Sequence, residues 1–241
     1  MPHALDLISA CIFLVCWLGY EPILARLARS RGGGINQDMD VVRIAWMRRM
    51  AKREVRIMDT NLIGHALNTA SFFASTNLLV IAAAAGLLFG GEATLEALRD
   101  VSILERAPDW LIELKIALVV ATLARGLLDF IWAIRQLNYC VALIGAAPEH
   151  DARDDRFWRA AAGVLNPALA FFNRGVRAYY FALAAAAWLL AGWAMALGAL
   201  AAFWLLAFRQ LFSPAAKAAR EARLLLQSEA PLAGERPAGD M

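Results

Sequence analysis

Histidine and cysteine are scarce, at three of each in 241 residues. His3, His65 and His150 stand alone, and Cys11, Cys16 and Cys140 lie in or beside apolar runs. No CxxC and no Cys/His cluster exists to build a zinc site. Cys11 and Cys16 are five apart on one predicted helix and point to different faces, so no disulfide is expected. There is no Gly-rich phosphate loop, no Ser/His/Asp arrangement and no pair of histidines placed for haem, so neither a cofactor nor a catalytic apparatus is expected. Charge is thin as well: from Ala178 to Phe208 there is none. That run, with 61% hydrophobic residues overall, excludes an ordinary soluble domain.

What is present is apolar length. A helix needs about 20 apolar residues to cross the hydrocarbon of a bilayer. The first such stretch is about Leu5 to Leu24; no Lys or Arg precedes it and Asp6 lies inside it, unlike a secretory signal. The second runs about Ala66 to Gly90 and the third about Trp110 to Ile134. Asn166-Pro167 reads as a helix start, with Asn as cap and Pro in the first turn. From there to Arg209 is too long for one crossing. A break at Gly192-Trp193 gives a hairpin, about Pro167 to Ala191 and about Trp193 to Leu211. The expected fold is therefore all-α, a polytopic membrane protein of about five transmembrane helices plus one cytoplasmic interfacial amphipathic helix.

Loop charges orient it. Arg26, Arg29, Arg31, Arg43, Arg48, Arg49, Lys52, Arg53 and Arg56 follow the first span. Glu92, Glu96, Asp100, Glu105 and Asp109 dominate after the second. Arg135, Arg153, Arg156 and Arg159 follow the third, and Arg209, Lys217, Arg220 and Arg223 the last. Cytoplasmic loops carry the excess of Lys and Arg, which places the N-terminus outside and the C-terminus in the cytoplasm. Residues 1–212 form the membrane domain. Residues 213–241 are read as a short cytoplasmic helix, Ala215 to Gln227, and a disordered Pro/Gly/Glu-rich end.

The interfacial helix is expected over Met39 to Met58. At helical pitch Met39, Trp46, Met47, Met50 and Ile57 share one half, while Arg48, Arg49, Lys52, Arg53 and Arg56 share the other. Such a helix lies along the cytoplasmic leaflet with its cations near anionic headgroups. Trp46 and those five cations are the expected lipid surface, either as an anchor that docks the bundle or as a lipid sensor or docking site. The membrane accounts for the basic face, and no nucleic-acid partner is expected.

Two polar stripes run inside the spans. Lys115, Thr122, Arg125, Asp129 and Gln136 fall within about 80° of arc on the third. Arg125 and Asp129, four apart, pair along the helix, and Arg177 on the fourth span is a second partner for Asp129. Charge at membrane depth costs several kcal/mol and faces the bundle interior or water. The stripe is thus a solute, ion or proton path, or a buried ion pair that fixes packing. The second span carries Asn61, Gly64, His65, Asn68, Ser71 and Ser75 on one side. That face suits close helix packing, or a hydrated cavity where it meets the third-span stripe. Ala82, Gly86 and Gly90 form a further small-residue line.

Several strings are similar to a bacterial membrane-protein family catalogued as domain of unknown function 599. They are Trp46-Met47-Arg48-Arg49-Met50, Asp59 with Ile63-Gly64, and Phe72-Phe73-Ala74-Ser75-Thr76. Trp132, Arg135-Gln136-Leu137-Asn138-Tyr139 and Arg177-Ala178-Tyr179-Tyr180-Phe181 complete the set. The resemblance spans Trp17 to about Phe212 and implies a multi-span protein of the bacterial inner membrane. It carries no activity, and Arg125 and Asp129 lie outside its pattern, which favours a local ion pair for them. Three functions remain open. They are a homo-oligomeric pore or small-solute and ion permeation protein, a non-catalytic accessory or scaffold subunit, and, last, a lipid-directed enzyme. The odd span number and the lack of an inverted repeat argue against a simple carrier.

Overall fold

The computed structural model describes residues 2–91, 108–148 and 156–229. These are helical, with no strand among the described residues. The acidic loop after the second span, the acids around Asp151 and the end of the tail lie outside them.

Among the described residues seven α-helices follow in order: α1 Pro2–Ser30, α2 Ile35–Met50, α3 Ile57–Phe89, α4 Asp109–Gly145, α5 Arg156–Ala186, α6 Gly192–Phe212 and α7 Pro214–Glu229. One 3-10 turn, Ala187–Leu189, leads from α5 to α6. Three stretches are long and apolar enough to cross a membrane: Leu5–Ser30, Ile57–Phe89, and Gly192–Ser228, which runs through the Ser213 corner. Helices α4 and α5, of 37 and 31 residues, form the packed centre. α3 lies against α4, α1 chiefly against α6, and α2 against α5 and α7.

Two apolar cores stack along this bundle. One joins Met47 and Met50 of α2, Ile63 of α3, Leu137 and Ile144 of α4, and Trp158 and Leu165 of α5. The other joins Phe13 and Tyr20 of α1, Leu111 of α4, Phe181 of α5, Trp188 of the 3-10 turn, and Met195 and Ala199 of α6. Between Leu111 and Leu137 on α4, and between Leu165 and Phe181 on α5, lie Asp129, Arg174 and Arg177. A layer of charge therefore separates the two cores.

Glycine brings α4 and α5 together at that layer. A Cβ on Gly126 would stand 2.6 Å from the Ala178 Cβ, and one on Gly175 would stand 2.7 Å from the Phe130 ring. Phe73, Phe130, Phe172 and Tyr179 fill the space beside them, with ring centroids 5.7 to 6.1 Å apart. Asn77, fully buried, donates to the Leu123 carbonyl at 2.9 Å, and the Tyr179 hydroxyl donates to the Phe73 carbonyl at 2.8 Å. Both bonds fix α3 against its neighbours without charge.

The structure corrects two boundaries. Pro167 does not start a helix: α5 begins at Arg156 and runs through it. The proline costs one backbone bond, to the Gly163 carbonyl. Burial of Trp158, Ala161, Ala162, Leu165 and Ala168 against the first core holds the helix on both sides of it. The surface helix does not extend from Met39 to Met58 either. It stops at Met50, and residues 51–56 turn the chain into α3. No glycine or proline marks that corner. Asp59, with no exposed surface, accepts hydrogen bonds there from Trp46 Nε1 at 2.7 Å and from Arg53. Arg56 donates to the carbonyls of Ala147 at 2.6 Å and Pro148 at 2.7 Å, tying the corner to the end of α4.

Candidate functional site

A cluster of charged side chains lies in a seam between α1, α4 and α5. Glu21 extends from α1, Arg125 and Asp129 from α4, and Arg174 and Arg177 from α5. The i,i+3 spacing of Arg174 and Arg177 puts both on one face of α5, one turn apart. Each pairs with Glu21, Arg174 through Nε at 2.9 Å and Arg177 through Nη2 at 2.6 Å. Asp129 sits between Arg125 Nε at 3.5 Å and Arg174 Nη1 at 3.7 Å. Aromatic rings hold the α5 cations in place: Arg174 lies 4.6 Å over Phe171 and Arg177 lies 4.5 Å over Tyr20.

Trp17, Leu18 and Ala178 complete the wall of a cavity of about 90 Å³. At about 30 Å³ per molecule of liquid water, that is room for about three waters. It suits an inorganic ion or a small acid group and is far below the several hundred Å³ of sites for larger organic ligands. Three guanidinium groups face two carboxylates, so the site carries an excess of one positive charge when both acids are ionised. The Asp129 side chain is 5% exposed while that of Arg125 is 54% exposed. The cavity therefore opens on the Arg125 side and closes on the Asp129 side.

The sequence finds part of this site. Arg125 and Asp129 pair as the spacing predicts. Arg177 approaches but binds Glu21, and Arg174 takes the expected place beside Asp129. Glu21 and Arg174 carry no local signal. Each reads as an ordinary polar residue near a helix end, and their contact joins positions 153 residues apart. The rest of the α4 stripe serves separate levels. Lys115, buried near the other end, lies 5.6 Å over Trp188, whose indole donates to Asp6 at 2.6 Å. Thr122 donates back to the Leu118 carbonyl at 2.8 Å, and Gln136 is buried toward the first core.

The polar stripe of α3 does not meet that of α4. Asn61, His65, Asn68 and Ser75 are exposed on the outside of the bundle, and Ser71 is half-buried. α3 turns Ile63, Ala70 and Asn77 inward instead. Ala82, Gly86 and Gly90 are likewise exposed, and a Cβ on Gly86 would touch nothing. The inward face of α3 is apolar apart from Asp59 at its start and Asn77, which bonds the Leu123 carbonyl, and it meets an apolar face of α4 around Leu123, Phe130 and Leu137.

The expected lipid surface divides too. Trp46, Arg53 and Arg56 are committed to the corner around Asp59 and the end of α4. Arg49 and Lys52 are exposed and Arg48 is half-buried. Met47 and Met50 face the protein core rather than lipid, because α5 and α7 cover that side of α2.

Among the described residues no group of three or more His, Cys, Asp or Glu is placed to hold a metal ion. Cys11, Cys16 and Cys140 are free thiols. No curated protein and no solved structure matches the chain. A family model described as "Protein of unknown function, DUF599" matches residues 8–215. That match takes in both cores, the Asp59 corner and every residue of the charged seam, and the chain belongs to this family.

Proposed function

We propose that this is a five-span permeation protein for small ions, selective for anions, with its binding site in the charged seam. In this reading α1, α3, α4, α5 and α6 cross the bacterial inner membrane, the N-terminus is outside, and α2 and α7 lie at the cytoplasmic face. It does no covalent chemistry. The observation that carries it is the cavity itself: about 90 Å³ with three arginines against two carboxylates. In the five-span reading these five charges lie at membrane depth, where they cost far more than apolar residues of similar size. An ion that completes the balance offsets part of that cost.

The test is flux in proteoliposomes, with chloride and formate as the probes. Wild-type protein passes them faster than potassium. Arg125→Gln removes the exposed cation and lowers anion flux about tenfold, the equivalent of about 1.4 kcal/mol at the site. Asp129→Asn, which adds to the positive excess, changes the ratio of anion to cation flux. Wild-type vesicles no leakier than empty ones would sink the proposal.

A second reading, an accessory or scaffold subunit, is favoured by α3. Its outward face carries Asn61, His65, Asn68 and Ser75 where a lone protein would meet lipid or solvent. Polar side chains on a membrane-facing surface are a usual glue between helices. Native mass spectrometry after gentle extraction separates the readings. A stoichiometric foreign chain supports the subunit; a homo-oligomer supports a pore.

A further inference from the structure

The corner where α6 ends and α7 begins holds a groove of about 530 Å³, lined by Arg31, Leu211, Phe212, Lys217, Arg220 and Leu224, with Ala216 and Glu221. Its construction follows from the chain. Ser213 stops α6 with an extended backbone, and its hydroxyl accepts from the Ala216 N–H at 3.1 Å to start α7. Ala216 and Ala219 turn inward and are buried, so Lys217, Glu221 and Leu224 face outward. Arg31, just past the end of α1, lies 4.7 Å over the Phe212 ring.

Arg220 and Arg223 fix α7 in this position. They donate to the carbonyls of Gly33 at 3.1 Å and Gly32 at 2.8 Å, and Arg223 pairs with the buried Asp38 at 2.9 Å. Gly32 has φ +79° and Gly33 φ +128°, left-handed values that turn their carbonyls toward α7. Arg31 and Lys217 are not so engaged: neither has a carboxylate within ion-pair distance among the described residues. Glu221 follows Lys217 by one turn without pairing to it.

We infer that this groove is a site for the phosphodiester headgroup of an anionic phospholipid. Three cations against one carboxylate give it a positive excess. Phe212, Leu211 and Leu224 give an apolar floor for the glycerol end of an acyl chain. Arg31 follows Ser30, where the first membrane-crossing stretch ends, and Ser213 ends α6; in the five-span reading this is headgroup depth. Basic pockets at that level take anionic lipid by charge and by the apolar surface beneath it. The inference is independent of the seam and of any transport. It also moves the lipid contact from the basic side of α2 to the α6–α7 corner.

The test is native mass spectrometry of delipidated full-length protein given equal dioleoylphosphatidylglycerol and dioleoylphosphatidylcholine. Wild type retains the glycerol lipid in preference. Arg31→Gln with Lys217→Gln loses about thirtyfold in that preference, each cation near the headgroup contributing about fivefold. Arg48→Gln on α2 with Lys52→Gln just past its end keeps it. Should the corner double variant not extract folded, Lys217→Gln alone, on the exposed side, loses about fivefold. Equal retention of the two lipids by wild type overturns the inference. So does a preference that survives the corner variants, or one lost through the α2 pair alone.

Discussion

At the scale of single residues, this membrane protein is held by a few carboxylates with assigned donors. Asp59 is the clearest. It has no exposed surface, it takes two donors from side chains on the far side of a turn, and it closes that turn without glycine or proline. Hydrogen bonds to a charged group contribute about 1.5–3 kcal/mol. Asp59→Ala is expected to cost about 2–3 kcal/mol, read as a lower thermal midpoint in detergent. A midpoint equal to wild type would mean the corner is held by Met47 and Met50 alone. Asp40 and Arg43, on α2, show the opposite balance. They pair at 2.9 Å, yet burial pushes the carboxyl up and the guanidinium down from their ordinary values. At this scale the sequence discloses what lies within one helix. The Arg125–Asp129 pair is legible from its spacing. Glu21 with Arg174, and Trp46 with Asp59, are not, because no periodicity links residues on different elements.

At the scale of helices, approach distance is set by a few small residues. Gly126 and Gly175 let α4 and α5 meet beside the charged seam. Gly126→Ala puts a methyl against the Ala178 Cβ, both on rigid helices. Overpacking of this kind costs about 1–3 kcal/mol, seen as a lower melting midpoint. Gly64→Ala, on α3, meets open space. It is expected to leave stability unchanged or to raise it by about 0.5–1 kcal/mol from helix propensity alone, read as an equal or higher midpoint. Equal losses in both variants would show that the distinction in space is wrong. Helix existence and several ends were legible in the sequence: the break before Gly192, the end of α6 and the short α7 all follow from length and turn residues, while α1 and α4 run on to Ser30 and Gly145 and α3 starts back at Ile57, beyond the apolar stretches. Pro167 misled because a local start signal competes with burial, and here burial on both sides wins. The corner at 51–56 stayed hidden because side-chain charge, not backbone chemistry, makes it.

At the scale of the whole molecule, α3 is the least covered of the three stretches long and apolar enough to cross a membrane. Its outward face carries amide, imidazole and hydroxyl groups. Asn68→Leu is therefore expected to leave the melting midpoint of the isolated protomer unchanged while lowering the share of assembled species in native mass spectrometry. A lower midpoint with assembly intact would assign Asn68 to the fold instead. The other feature visible only at this scale is the charged layer between the two cores. Glu21 is bound to Arg174 and Arg177 on one side, and Phe13 and Tyr20 of the same helix are sunk in apolar side chains on the other. One helical turn is about 5.4 Å. If α1 slipped by that much toward its N-terminal end, the carboxylate would enter the apolar core; if it slipped the other way, both guanidinium partners would be left behind. The first helix therefore has an indexed position along the membrane normal, with a stop in each direction, and thickening or thinning of the surrounding bilayer must tilt the bundle as a body rather than slide this helix within it.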